Sequence, residues 1–486
     1  MLLVWIAAII AIAWLVLGSS SNTKGSGKPL PGPPGKPLVG NLFEILQYHS
    51  WLKFKEWADT YGPIFRLNLA GRQHVLLSTE KIASDLLRER GSYYSSREFL
   101  PMASGIVSRE MRPLLLPHNG RKLMHQLTMP AAADSYQTVQ DYESKKLLMS
   151  LPETPATYVK WFQLYASGGI FRIGFGKLIE TGDQPAVKRI IQVVHNLERV
   201  ASPGAYFVDS MPFLNRLPEA VAPFKREGRR LHEEELSLFR ELQYDVCRAL
   251  EKGSDAQCLT RTFLENKDGY QLSDDEGAYV IGTLFEAGSG TTAVGDRMPE
   301  FEDIPNLPTV RAVIREVLRW RPVAAGGFPH QLTKDDEYEG FSFKKGTIFH
   351  PNQWAIHRDT ALYPDSDNFR PDRWLDPKFP PTYREPLSKF PNLQNYSCFG
   401  FRRRICPGQN IAERSLHILT ARVAWAGSVV KERDASGAEL PVPLYDYTIG
   451  FNTQPEHFDF DVVIRSQARH AVIKEYLKET RSKRPA

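Results

Sequence analysis

The hydrophobic residues of this chain fall into a few patterns, and the plainest comes first. Every position from 2 to 17 is apolar, and no charged side chain precedes Lys24. Such a run is short for a membrane span but adequate if the flanking groups adapt. A second pattern is helical. Val310, Val313, Ile314, Val317 and Leu318 recur at i, i+3, i+4, i+7 and i+8, the mark of an amphipathic helix. Leu231, Leu238, Leu242 and Val246 share one side of a longer helix expected over 225–252, whose mixed charges form a solvated face. Strand patterns are fewer. Two runs, 64–69 and 73–78, flank Ala70-Gly71-Arg72 and predict a hairpin, with a helix following at about 80–90. Alternating and β-branched residues at 341–348 and near 445–464 predict further strands. The chain is expected to be mainly α with a small β portion.

Composition agrees with one large folded body. With 42% hydrophobic and 11% aromatic residues among 486, the chain can fill a sizeable core, and it shows no repeat or low-complexity tract. Cys247, Cys258, Cys398 and Cys406 are too few for a disulfide scaffold and suit a reducing compartment. Cys398 and Cys406 lack zinc-site spacing and bring no second pair. The net charge of +5 is a mild excess, compatible with an acidic protein partner or a membrane surface, and gives no ground for nucleic-acid binding.

Charge also orients the N-terminus. Lys24, Lys28 and Lys36 follow the apolar run and no Lys or Arg precedes it, so the bulk of the protein is expected on the cytoplasmic side. A cleaved signal peptide is the rival reading, with Leu17-Gly18-Ser19 as its small-residue site. The missing basic n-region and the unpaired cysteines weigh against it. Pro29-Leu30-Pro31-Gly32-Pro33-Pro34-Gly35, then Pro37, reads as a stiff extended spacer. The expected organisation is a membrane anchor at 1–20, a Pro/Gly-rich hinge at 21–41 and one folded body at 42–486.

The densest chemistry lies at Phe399-Gly400-Phe401-Arg402-Arg403-Arg404-Ile405-Cys406-Pro407-Gly408. Here one cysteine follows an arginine run and precedes Pro-Gly and a helix-like segment. Arg403, Arg404 and the helix N-terminus all favour thiolate over thiol. A thiolate held as the axial ligand of a haem iron pushes electron density onto the metal and favours O–O cleavage. For the run alone, the alternative is a buried structural cysteine beside a basic turn. Upstream, Glu316 and Arg319 share a helix face, and alone they read as an ordinary surface ion pair. Farther on comes Phe369-Arg370-Pro371-Asp372-Arg373-Trp374, and before both comes Ala287-Gly288-Ser289-Gly290-Thr291-Thr292.

In this order the motifs resemble the cytochrome P450 monooxygenases, fungal microsomal type, over about residues 29–470. The resemblance implies the cytochrome P450 fold, a helix-rich single catalytic domain behind an N-terminal transmembrane helix in the endoplasmic reticulum membrane. It implies haem b, with Cys406 as the iron ligand, Phe399 opening the loop, and Arg404, Arg121 and His330 at the propionates. Glu316, Arg319 and Arg373 would form a buried network fixing the thiolate loop, and Thr291 would be the oxygen-side hydroxyl that helps deliver protons. Val323, Ala324, Ala325 and Phe328 match a substrate-facing turn, and Phe451 with Asn452 a second tip. For Gly326 and Gly327 in that turn, unusual backbone angles are the competing explanation. The implied reaction inserts one atom of O2 into a C–H or C=C bond of an apolar organic molecule, in secondary metabolism or on xenobiotics. Electrons would come from NADPH through a flavoprotein reductase docked on the cysteine-loop side.

The sequence also departs from the family pattern. Gly290 stands where an acid usually precedes the threonine, and Arg402 stands where a glycine is expected. Only 25 positions separate Thr291 from Glu316, so the distal helix loses its second half around 292–306. His118-Asn119-Gly120-Arg121-Lys122 resembles the propionate-binding helix without its tryptophan. Two other readings therefore stand beside the enzyme: a haem-binding but catalytically silent ligand binder, and a membrane-tethered remnant that binds no haem.

Overall fold

The computed structural model describes residues 28–37, 39–45, 49–115, 129–202, 204–283, 298–383, 392–448 and 450–482. The expected anchor, the first part of the hinge, Arg121, Gly290 and Thr291 lie outside the described residues. Among the described residues, no helix is long and apolar enough to cross a membrane.

Among the described residues, nine longer helices carry the structure. They are α1 (Ser50–Tyr61), α2 (Gln137–Ser150), α3 (Tyr158–Phe175), α4 (Pro185–Val200), α5 (Pro223–Glu251), α6 (Asp274–Gly282), α7 (Pro308–Trp320), α8 (Gln409–Ala426) and α9 (Gln467–Ser482). Their ends follow local chemistry. Pro308 opens α7 at a position where a missing N–H is harmless, and Arg321 before Pro322 ends it. Ser273 and Glu276 close a reciprocal capping box on α6. The long helix expected over 225–252 is α5, and the one expected at 80–90 divides into an α-turn, Glu80–Ala83, and a π-helical segment, Ser84–Glu89.

The strands are β1 (Ile64–Leu69), β2 (Arg72–Leu77), β3 (His330–Gln331), β4 (Asp336–Tyr338), β5 (Phe341–Phe343), β6 (Ile348–Pro351), β7 (Gly427–Lys431) and β8 (Phe460–Ile464). The main sheet has the order β1-β2-β6-β3, with β2 and β6 parallel and the other pairs antiparallel. The strand expected over 341–348 splits between β5 and β6, because Gly346 turns the chain at φ 91°. Of the strand expected near 445–464, the ladder covers only β8, and the earlier part forms one isolated bridge, Tyr447 to Pro455. Within that range Pro455 has no N–H to donate to a ladder.

Two packed regions position the site. Helices α3, α4, α5 and α6 share a core around Phe171, Phe239, Phe263 and Tyr279. A second core joins α7 and α8 to Tyr363, Trp374, Leu393 and Tyr396 of the long connection between them. From 298 to 307, the 3-10 turn Phe301–Asn306 precedes α7, whereas the first part of the expected truncation, before 298, lies outside the described residues. Buried Arg422 on α8 clamps this short connection, donating to the Pro299 carbonyl at 2.8 Å and to Asp141 Oδ1 of α2 at 2.7 Å. The second half of the expected hinge is docked on the body. Lys28 N–H donates to the Gly340 carbonyl (2.8 Å), Arg66 N–H donates to the Pro31 carbonyl (2.9 Å), and Leu30 is buried.

Candidate active site

The amphipathic pattern of α7 puts Val310, Ile314 and Leu318 into the core, and its buried residues include the charged Arg311, Glu316 and Arg319. Glu316 and Arg319 are 0% exposed, and Arg373 beside them is 0% exposed as well. A buried carboxylate is tolerable only when its lone pairs are filled. Glu316 Oε2 accepts from Arg319 Nε at 2.9 Å and from the Trp374 indole at 3.0 Å. Its Oε1 accepts from Arg319 Nη2 at 2.8 Å, Arg373 Nε at 3.1 Å and the Arg370 backbone N–H at 2.9 Å. The two guanidiniums spend their remaining donors on backbone carbonyls. Arg319 reaches His357, Ser366 and Asn368, and Arg373 reaches Pro364 and Asp365. The three residues chosen from sequence thus meet in one network.

From that network a stack of rings leads to the cysteine loop. Trp374 meets Tyr396 edge-on at 6.0 Å, and the Arg315 guanidinium lies over both rings, 4.6 and 4.3 Å from their centres. His357 stacks on Tyr396 at 5.2 Å and contacts Ser397 Oγ at 3.2 Å, while Gln353 donates to the Ser397 carbonyl at 2.9 Å. Burial, with Arg319, Arg358 and Arg315 nearby, pushes the His357 pKa down to about 3. The loop therefore rests on a neutral His357 and on aromatic rings packed under the Arg315 guanidinium.

Within the loop, Gly400 adopts φ 89°, a backbone angle that favours glycine. Cys406 N–H then donates to the Phe399 carbonyl at 2.7 Å, folding the loop back on itself. Cys406 is half-buried and stands just ahead of α8, whose N-terminal end favours negative charge. Phe399 packs against the Trp374–Tyr396 core. Arg402, in place of the expected glycine, does adopt a strained left-handed angle, φ 39°. Its Nη1 donates to the carbonyls of Arg88 and Glu89, 3.1 Å from each, at the end of the π-helical segment. Arg402 and Arg403 are exposed, whereas Arg404 turns inward and is buried.

Arg404 enters a basic corner. Its Nε donates to the Ser95 carbonyl at 2.7 Å, and two residues on, buried Arg97 donates to the Pro329 carbonyl at 2.5 Å. His330 lies among them and donates Nδ1–H to the Tyr94 carbonyl at 2.7 Å. Burial, then Arg97 and Arg404, hold its pKa well below the ordinary value. Arg97 was not foreseen from sequence. The cue was faint: an arginine in Ser95-Ser96-Arg97-Glu98 has no periodic or motif context.

Past Arg97, the turn and tip expected to face substrate come together. The Arg97 guanidinium lies 5.9 Å over Phe328, Phe328 meets Phe451 at 5.2 Å, and Thr453 N–H donates to the Val323 carbonyl at 2.6 Å. Val323 is 49% exposed and Ala324 is half-buried. Ala325 is 0% exposed and enclosed by Trp51, Trp354 and Tyr447, which makes it a packing residue rather than a lining one. Gly327, at φ 70°, faces the Pro351 carbonyl where a Cβ would clash, so the turn needs its backbone freedom.

The donor set suits an iron porphyrin. Among the described residues no group of three or more His, Cys, Asp or Glu is placed to hold a bare ion. One soft sulfur suffices when a macrocycle brings its own equatorial nitrogens, and a corner of buried cations suits its carboxylates. When bound, haem would supply oxygen activation. The chain's own part is to hold a sulfur ahead of a helix, fix its loop from beneath and present an apolar wall beyond the basic corner.

Known proteins give the same answer. The family described as Cytochrome P450 matches residues 30–297 and 292–423. Cytochrome P450 monooxygenase fogE of Aspergillus ruber is 31% identical across 96% of this chain and 91% of its own. Cytochrome P450 monooxygenase virE of Hypocrea virens is 32% identical (92% and 87%), and aneD of Aspergillus aculeatus is 33% identical (93% and 91%). With its sulfur loop, its buried Glu316 network and these relatives in agreement, the chain belongs to the cytochrome P450 family and is an enzyme of the monooxygenase type.

Proposed function

We propose that this enzyme binds haem b through Cys406 and inserts one oxygen atom from O2 into a C–H or C=C bond of an apolar small molecule. The carrying observation is the half-buried Cys406 loop ahead of α8, with Arg97, His330 and Arg404 converging beside it. In this reading Arg404, Arg97 and His330 hold the propionates, joined by Arg121, and Phe399 flanks the sulfur. Glu316, Arg319 and Arg373 keep the loop in place, and Thr291 serves the oxygen side. Val323, Ala324, Phe328 and Phe451 border the substrate. Electrons come from NADPH through a flavoprotein reductase at the face bearing exposed Arg402 and Arg403. A single-pass anchor at 1–20 holds the catalytic domain on the cytoplasmic side of the endoplasmic reticulum membrane, supported by the apolar run and the lysines after it.

The test is the reduced, carbon-monoxide-bound difference spectrum of the membrane-expressed protein beside Cys406→Ala. A long-wavelength Soret band that is absent from the variant supports the assignment. Absence of any haem signal sinks it. A second reading, a haem-binding relative that retains ligands without turning them over, is favoured by Gly290 in the position of the relay acid. A thiolate-type band with ligand-induced spectral shifts but no product in a reductase-supplied assay would decide for it.

A further inference from the structure

A carboxylate stands where the apolar face of α4 meets the tip at 450–452. Val187, Ile191 and Val194 follow one another at i, i+4 and i+7, and Glu198 takes the next place on that stripe. It is half-buried, and burial raises its carboxyl above the ordinary value. Its Oε1 accepts from the Asn452 amide at 3.1 Å, a neutral donor. The tip packs against this turn of α4, where a Cβ on Gly450 would meet Glu198 Cβ at 3.4 Å, an ordinary van der Waals contact. Among the described residues, no Lys or Arg forms an ion pair with Glu198. The titratable side chain beside it is His195, one turn back on the same helix and exposed.

The position is joined to the thiolate loop by consecutive contacts. Arg404 bonds Ser95, Arg97 lies over Phe328, Phe328 packs on Phe451, and Asn452 follows. Glu198 therefore stands at the far end of a run of contacts that begins at Arg404, two residues before Cys406. A carboxylate drawn partly out of water with only a neutral donor is unfavourable, and such groups concentrate at binding sites, where a ligand brings the missing charge.

We propose that Glu198 is a specificity-determining residue that anchors a cationic, ammonium-type group of the substrate, whose apolar remainder lies along Phe328 and Phe451. Naming this ligand a substrate rests on the monooxygenase reading, whereas the anchoring itself does not.

Equilibrium dialysis of the full-length holoprotein tests this with radiolabelled phenylbutyl trimethylammonium and its uncharged tert-butyl isostere. The quaternary nitrogen cannot coordinate iron, and dialysis needs no haem signal. Wild type is expected to prefer the cation by roughly tenfold or more, and Glu198→Gln to erase that preference with the isostere's affinity unchanged. No preference in wild type, or equal weakening of both probes in the variant, overturns the proposal. The carbon-monoxide spectrum is recorded on the same samples. A cation preference without a thiolate band would keep the anchor and remove the monooxygenase reading, whereas a normal band without the preference would do the reverse.

Discussion

Arg402 donates to the backbone carbonyl of Arg88 at 3.1 Å, and this cross-link holds the cysteine loop against the π-helical segment Ser84–Glu89. The same residue sits at φ 39°, which disfavours any side chain. Strain of about 1 kcal/mol is thus set against two partly exposed hydrogen bonds of about 0.5–1 kcal/mol each. Arg402→Gly relieves the strain as it loses the bonds, so its stability should stay within about 1 kcal/mol of wild type. Arg402→Ala keeps the strain and loses the bonds, and should fall by about 1–2 kcal/mol. Thermal unfolding of the three proteins checks the order, and an alanine variant as stable as the glycine variant would refute the account.

Trp374 matters because its indole fills a lone pair of Glu316 while its ring supports Tyr396. Trp374→Phe keeps most of the packing and loses one hydrogen bond to a charged acceptor, at a cost of about 1.5–3 kcal/mol. Glu316→Gln leaves two buried guanidiniums without a counter-charge, a loss of about 3–5 kcal/mol from a margin of about 5–15. The expected outcome is a lowered midpoint for loss of the thiolate-type band in the first variant, and little folded holoprotein in the second. Equal behaviour of the two would show that the network is not organised around Glu316.

What the sequence made legible here was whatever leaves a local trace. The repeat of Val310, Ile314 and Leu318 marks α7, Gly71 marks the β1–β2 hairpin, and the cysteine run marks the loop ahead of α8. Trp374 and Glu316 are 58 positions apart and Arg97 and Pro329 are 232, so their bonds leave no periodic signature. Ala325 shows the converse. A small residue in a turn reads as room for a ligand, but Trp51 and Trp354, remote in sequence, already occupy that room.

Asp209 gives a pH dependence of definite sign. Burial first, then Glu98, raise its carboxyl from the ordinary 3.8 to about 7. Arg72 pairs with Glu98 at 2.7 Å and donates to the Asp209 carbonyl at 3.1 Å, so it does not neutralise the Asp209 side chain directly. Since the folded state holds the proton more tightly, this group's stabilisation is present at low pH and lost as pH rises from about 4 to about 7. Asp209→Asn keeps an oxygen that can accept the Met102 N–H, bonded at 2.8 Å in the wild type. In urea titrations, wild type should lose stability relative to Asp209→Asn between pH 5 and pH 8. Parallel curves would show that Asp209 does not titrate in this window.

On the acid side, buried histidines act in the opposite sense. Burial pushes His350 and His417 down to about 4, and burial together with three arginines pushes His357 to about 3. The unfolded chain protonates these rings near 6.5 and the folded one does not, so each contributes stability that is lost as pH falls from about 6.5 toward its folded value. The slope is about 1.4 kcal/mol per pH unit for each ring. His357 is the one in contact with the cysteine loop, through Ser397 and Tyr396. Its protonation would bring a cation among Arg315, Arg319 and Arg358, and the loop should be the part that yields. Acidification from pH 7 to pH 5 is therefore expected to convert the thiolate-type band to the shorter-wavelength form before global unfolding, and less steeply in His357→Gln. Simultaneous loss of the band and of helical signal, unchanged in the variant, would place the acid-sensitive step elsewhere in the fold.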